Sequence, residues 1–241
     1  LQTSDIKISV IIPAHNEEHF LPKGLEAIRA AEKNSPHPVE VVVVINRCSD
    51  RTEEIAKKAG AIVVKEDTPN LSMIRNAGLA AATGDILITV DADSCIHPMT
   101  FHDVVEKLDS GKFIGGGCYV LPERYSLGII CSMIMLTPRL MKHGVSFGCF
   151  WFTREVYEAV EGFDTSLLTV EDIDFAIRIK KHGKKLGKKF GCLYRSVLKT
   201  SCRKFDQYGE WYMVRDPSFV RKVFDGHDQE TADRYWYKTG R

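Results

Sequence analysis

In Asp85-Ile86-Leu87-Ile88-Thr89-Val90-Asp91-Ala92-Asp93 a nearly continuous apolar run ends in two carboxylates one residue apart. Ile86, Leu87, Ile88 and Val90 leave no wet face, which predicts a central strand covered by helices on both sides. On a strand Asp91 and Asp93 share a side. At its C-terminal end they would form one anionic notch, where an open α/β sheet generally places its ligand. Two carboxylates this close repel unless a cation or hydrogen-bond donors intervene. An oxygen-only set suits a hard divalent ion, Mg2+ or Mn2+, shared with a substrate phosphate. An isolated Asp-x-Asp also fits a solvated turn, so the flanking sequence decides.

Upstream, strands alternate with helices. Ile6 to Ile12 predicts a strand that Pro13 ends, with Asn16 capping a helix that buries Phe20, Leu21, Leu25 and Ile28. Val39 to Ile45 is a second, β-branched strand. Ser49 or Asp50 then caps a short helix closed by Gly60. Ala61 to Lys65 is a third strand, and Asn70 caps a helix from Leu71 to Ala82. This β-α-β-α-β-α-β order is that of a doubly wound nucleotide-binding half. After the first strand, however, stands Pro13-Ala14-His15-Asn16-Glu17-Glu18 instead of Gly-x-Gly-x-x-Gly, and no Gly-x-x-x-x-Gly-Lys-Ser/Thr occurs. Phosphate therefore falls to a metal and not to a glycine cradle.

Downstream, Pro98 opens a helix through Leu108. Lys112 to Leu121, with Gly115-Gly116-Gly117, predicts a strand that another group approaches closely. Leu127 to Leu140 is apolar. It suits a buried helix, a homodimer contact or a surface meeting a lipid-linked acceptor. Phe147 to Thr153 is a strand and Arg154 to Val160 a helix. Glu171 and Asp172 open another helix, to about His182, where acids are favoured by the helix dipole. Lys180, Lys181, Lys184, Lys185, Lys188 and Lys189 form a solvated basic face, with a phospholipid surface the lesser reading.

With 33 basic and 32 acidic residues the net charge is +1, which gives no reason to expect nucleic acid as a partner. The cysteines are scattered, without a Cys-x-x-Cys pair, and suggest apolar filling in a reducing compartment instead of zinc or disulfides. His15, His97, His143 and His182 lack ligand spacing. No run approaches the ~20 apolar residues of a membrane span. The expectation is a cytoplasmic protein, with a membrane-touching face as a peripheral option.

As a set, the motifs resemble inverting family 2 glycosyltransferases. The resemblance runs from about Ile8 to Gly209 and is carried by Val10 to Glu18, Arg75-Asn76-Ala77-Gly78, Thr83-Gly84-Asp85, Asp91-Ala92-Asp93, Gly162-Phe163-Asp164, and Glu171-Asp172-Ile173-Asp174 leading to Arg178. It implies an α/β chain of GT-A type: a doubly wound mixed sheet in one domain over 1–241, residues 6–95 binding the nucleotide sugar and 96–241 the acceptor. It further implies that Pro13, Ala14 and Glu17 bind the nucleoside and that Arg75 approaches its base and phosphate side. By the same resemblance, Asp91 touches the ribose and Asp93 holds Mn2+ or Mg2+ on the diphosphate. Asp172 would be the catalytic base, Glu171 its neighbour in the acceptor pocket, and Arg203 and Lys204 residues that close on the diphosphate. Asn46 stands where many relatives carry an acid, which leaves the base undetermined, although the resemblance favours a UDP-sugar. Two other classes share the sheet. A sugar nucleotidyltransferase would want a glycine- and arginine-rich first loop, and a non-catalytic nucleotide-sugar-binding protein would not need both Asp93 and Asp172.

Overall fold

The β-branched runs of the first half pair side by side, because each carries apolar residues on both faces and needs helices above and below it. A computed structural model describes residues 6–143 and 148–228. Strands β1 (Ile8–Ala14), β2 (Val39–Ile45), β3 (Ile62–Lys65) and β4 (Ile86–Val90) alternate with helices α1 (Leu21–Glu32), α2 (Thr52–Lys58) and α3 (Leu71–Ala81). All four strands are parallel, in the order β3-β2-β1-β4. The chain continues through β5 (Ser94–Cys95), α4 (Thr100–Asp109), β6 (Phe113–Pro122), α5 (Leu127–His143), β7 (Cys149–Thr153), α6 (Arg154–Ala159), α7 (Glu171–Lys185) and β8 (Lys189–Thr200). Helices α8 (Arg203–Tyr208), α9 (Tyr212–Arg215) and α10 (Pro217–Asp225) follow. β7 is antiparallel to β4 and β6, and β8 is parallel to β6, which completes one mixed eight-stranded sheet, β3-β2-β1-β4-β7-β6-β8-β5. Alternate residues feed two cores. Ile8, Val10, Ile12, Ile86, Ile88 and Val90 pack with Leu21, Leu25, Ile28 and Phe101 on one face. Ile11, Val42, Val44 and Leu87 pack with Ile74, Leu79, Phe175 and Ile179 on the other.

The glycine run of β6 is approached by Trp151. This indole is fully buried and donates from Nε1 to the Gly117 carbonyl at 3.1 Å. A Cβ on Gly116 would meet the Trp151 ring and the Gly191 carbonyl, both within clashing distance. Since backbone on one side and a buried ring on the other cannot yield, Gly116→Ala is expected to cost ~1 to 3 kcal/mol, measured by chemical denaturation. An unchanged midpoint would refute that packing.

Several local expectations are corrected. Pro13 does not end β1, which runs on to Ala14. Ile8 N–H donates to Pro38 on the β2 side, so by alternation position 13 faces the β4 side, where pairing stops at Ile11. No ladder bond is lost there. Asn16 does not cap α1, which begins at Leu21. Asn16 instead adopts φ 52°, a conformation its short amide tolerates, and accepts a hydrogen bond from Ser49 N–H at 2.8 Å. Strand β4 ends at Val90, so strand parity does not govern Asp91 and Asp93, which lie in the turn beyond it. The strand expected from Phe147 begins at Cys149; Phe147 lies outside the described residues. Helix α5 is two-sided: Ile129 and Ser132 are buried, while Leu127, Ile130 and Ile134 are exposed. No helix among the described residues is long and apolar enough to cross a membrane.

Candidate active site

The C-terminal ends of β1, β2 and β4 open on a cleft of about 270 Å³. Its polar side is formed by Pro13, Ala14, His15, Glu17, Asn46, Asp91, Asp93, Ser201, Arg203 and Lys204. Its apolar side is formed by Val120 and Pro122 of β6, Ile129, Met133 and Leu136 of α5, Leu198 of β8, and Phe205, Tyr212 and Met213. The open α/β sheet thus places its cleft where that architecture generally does.

The first loop is rigid because the second loop holds it. Asn16 N–H points to Cys48 Sγ at 3.3 Å, Glu17 N–H donates to Thr52 Oγ1 at 2.7 Å, and Glu18 N–H donates to Asp50 Oδ2 at 3.0 Å. Three successive amides are therefore committed within the protein. They form no anion-binding nest, in keeping with the missing glycine motif. Asn46 lines the cleft, but its side-chain amide donates to the Glu66 and Thr68 carbonyls. It shapes the wall and offers no free N–H to a nucleobase. His15 Nδ1 sits 2.6 Å from the Asn46 carbonyl, so Nδ1 carries the proton in that contact.

Arg75 ties the two halves together. It is 2 % exposed. Its Nη2 donates to Asp91 Oδ1 at 2.9 Å, its Nε lies 3.4 Å from Glu171 Oε1, and its guanidinium lies 5.6 Å from the centre of the Phe163 ring. Burial works against the Arg75 charge, but Asp91, Glu171 and Asp172 outweigh it and keep the guanidinium protonated. The next residue, Asn76, clamps the second half: it accepts from Phe163 N–H at 2.9 Å and donates to Phe163 O at 2.8 Å. The motifs Arg75-Asn76 and Gly162-Phe163-Asp164 are thus one structural unit, with Phe163 stacked on Phe175 of α7.

Helix α7 presents the acid pair from a strained start. Val170 before it has φ 56°, unfavourable for a β-branched residue. Glu171 is buried, does not line the cleft and faces Arg75. It is a counter-ion to Arg75, next in sequence to Asp172. Asp172 does not line the cleft either; it is partly exposed, accepts from its neighbour Ile173 N–H at 2.8 Å and takes a second backbone hydrogen bond from Gly148, which does line it. Burial pushes the Asp172 carboxyl above the ordinary range; Arg75 opposes this and Asp91 adds to it. Burial, then the charge of Asp172, pushes Glu171 up as well.

Asp91 and Asp93 serve different neighbours. Asp91 faces Arg75, whereas Asp93 Oδ2 accepts from Ser201 Oγ at 2.8 Å and pairs with Arg203 Nε at 3.0 Å. Ser201 was not legible as a site residue, because its place depends on β8. One or two protein carboxylates beside a cleft suit a divalent ion whose remaining positions are filled by a diphosphate. His102, Asp103 and Glu106 do cluster, on α4, but none of them lines the cleft.

Against known proteins, residues 9–160 match the family model described as glycosyl transferase family 2. The chain belongs to that family. This family 2 glycosyltransferase is 31 % identical over 119 residues to the undecaprenyl-phosphate 4-deoxy-4-formamido-L-arabinose transferase of Pseudomonas fluorescens (strain Pf0-1), covering 45 % of this chain and 34 % of the relative. It spans between about a third and a half of the length of the curated relatives it matches. Among solved structures it resembles the mannosyltransferase PcManGT from Pyrobaculum calidifontis in complex with GDP-Man and Mn2+. The TM-score is 0.68 at 21 % identity, with 97 % of this chain and 70 % of that chain covered. It also resembles glucosyl-3-phosphoglycerate synthase from Mycobacterium tuberculosis in complex with Mn2+, UDP and glucosyl-3-phosphoglycerate. There the TM-score is 0.59 at 22 % identity, with 90 % of this chain and 80 % of that chain covered. These likenesses establish the GT-A glycosyltransferase fold.

Proposed function

We propose that the chain moves a sugar from a nucleoside-diphosphate sugar to an acceptor hydroxyl by a single displacement that inverts the anomeric centre. The observation that carries this reading is the Asp91–Arg75–Glu171 linkage, which ties the turn that carries Asp93 and the helix start that carries Asp172 to one buried guanidinium. An acceptor hydroxyl must lose its proton as it attacks, and Asp172, hydrogen-bonded to the cleft-lining Gly148, is the carboxylate suited to take it. A base on one side and a diphosphate leaving on the other need no covalent intermediate. Glu171 positions Arg75 and Asp91, and Pro13, Ala14, Glu17 and Asn46 shape the nucleoside wall. A divalent ion at Asp93, when bound, would supply positive charge where the leaving diphosphate gains negative charge. Arg203 and Lys204 face the same space. The bound GDP-Man, UDP and Mn2+ of the two structural relatives support this donor class and ion. One sheet through both halves supports a single domain, with residues 6–95 on the donor side and the remainder on the acceptor side.

Thermal shift tests the donor reading: UDP or GDP should raise the melting temperature with Mn2+ or Mg2+ and not with EDTA. A raised Asp172 pKa has a further consequence. The base works deprotonated, so kcat/KM should rise with pH through a pKa above the ordinary Asp value of ~3.9 and then level off. An acid limb at or below that value would count against Asp172.

A lipid-linked acceptor is favoured by one feature. The inner face of α5 lines the cleft while Leu127, Ile130 and Ile134 lie bare outside, and the Pseudomonas relative is named for undecaprenyl phosphate. A peripheral membrane seat through that face predicts co-sedimentation with anionic liposomes. A chain wholly in the supernatant at low salt would exclude it.

A further inference from the structure

One carboxylate oxygen of Asp93, Oδ2, is already taken. Arg203 Nε lies 3.0 Å from Asp93 Oδ2, and Arg203 Nη1 donates to Glu17 Oε2 at 2.6 Å. The side chains of Glu17, Asp93 and Arg203 are 4 %, 13 % and 20 % exposed, so this is a largely desolvated ion triad, unlike a surface pair. The guanidinium also packs over the Phe20 ring, 4.9 Å from its centre. Ser201 closes the corner, its Oγ donating to Asp93 Oδ2 at 2.8 Å and its N–H to the Asp93 carbonyl at 3.1 Å.

A hard cation binding through Asp93 Oδ2 needs the lone pairs that Arg203 and Ser201 now hold. We propose that Arg203 is the built-in counter-cation of the metal seat and couples metal binding to donor binding. Without ligands it neutralises Asp93 and Glu17. A metal ion alone, on Oδ2 or on Oδ1, where Ser94 Oγ stands at 3.5 Å, sets a second cation beside the desolvated guanidinium, which is displaced or repelled with no new partner. A diphosphate arriving with the metal offers that guanidinium new oxygens in the same cleft, and the displacement is compensated. The move is local, because α8, which begins at Arg203, contains no buried residue. The inference rests on the metal-diphosphate reading above and adds to it a defined cooperativity: metal tightens nucleoside diphosphate and the reverse, by the same factor, through Arg203.

The test titrates Mn2+ into the chain, reading free Mn2+ by electron paramagnetic resonance, with and without saturating UDP or GDP. The wild type should bind Mn2+ weakly alone and more tightly with nucleotide. Arg203→Gln should bind Mn2+ alone at least tenfold more tightly than wild type, and the gain from nucleotide should shrink. Asp93→Asn added to Arg203→Gln should remove the site. Circular dichroism confirms folding, and should Arg203→Gln fail to fold, Arg203→Lys, which keeps the charge but loses the two-armed reach, is expected to lie between. Folded Arg203→Gln with unchanged or weaker affinity for Mn2+ alone would overturn the proposal, as would an unchanged nucleotide gain. The absence of Asp93-dependent Mn2+ binding in every variant, with UDP and GDP present, would overturn the metal reading and the coupling with it.

Discussion

Asp172→Asn is expected to bind nucleoside diphosphate and metal nearly as wild type does and to transfer sugar ~10² to 10⁴ times more slowly, the usual range for losing a positioned base. Asn keeps the size of the side chain, and its carbonyl can still accept from Ile173 and Gly148. What disappears is the basic lone pair. Binding survives because the donor-side groups, Asp91 and Asp93, do not depend on Asp172 for contact. The substitution also removes an acid from the first turn of α7, worth ~0.3 to 1 kcal/mol of stability, and a melting curve separates that from the chemical loss. Near wild-type transfer by Asp172→Asn, with Glu171→Gln inactive, would assign the base to the neighbouring carboxylate. The burial of Glu171 against Arg75 argues for the opposite pattern: Glu171→Gln should disturb donor binding as well as turnover, because Arg75 and Asp91 move with it.

Asp93→Ala is expected to abolish metal-dependent binding of nucleoside diphosphate. Asp91 stays on the buried Arg75, and Glu17, which shares Arg203 with Asp93, is the more buried of those two carboxylates, at 4 % against 13 % side-chain exposure. Asp91→Ala should weaken nucleotide binding less, by the ~0.5 to 1.5 kcal/mol of one hydrogen bond or about double that for a charged one. Calorimetry with Mn2+ and UDP or GDP checks both. Unchanged affinity in Asp93→Ala would remove Asp93 from the metal site.

The first half of the fold was legible because its signals are local. Ile86 to Val90 is apolar on both faces, Asn70 does cap α3 by accepting from Met73 N–H at 3.0 Å, and Gly60 does close α2 with φ 76°. Asn16 shows the limit of local chemistry, since a short amide suits an N-cap and a left-handed turn alike, and only the nearby Ser49 selects the turn. β8 escaped because its alternation breaks at Tyr194-Arg195, both exposed, where its pairing with β6 shifts register. Without β8 the position of Ser201 and Arg203 against Asp93 has no local signature. Glu171 shows the same limit: an acid at a helix start is ordinary, and nothing near it in sequence announces that its partner is a buried arginine on α3.

The most direct measurement is release of nucleoside diphosphate from UDP-glucose, UDP-N-acetylglucosamine and GDP-mannose, each incubated with the chain and Mn2+. Without an acceptor only slow hydrolysis is expected. The predicted result is release from one of these donors that stops with EDTA, is lost in Asp93→Ala and is strongly slowed in Asp172→Asn. Release that is unaffected by EDTA and by both substitutions, or no release from any donor that the chain demonstrably binds, would contradict a metal-assisted glycosyltransferase with its base at Asp172.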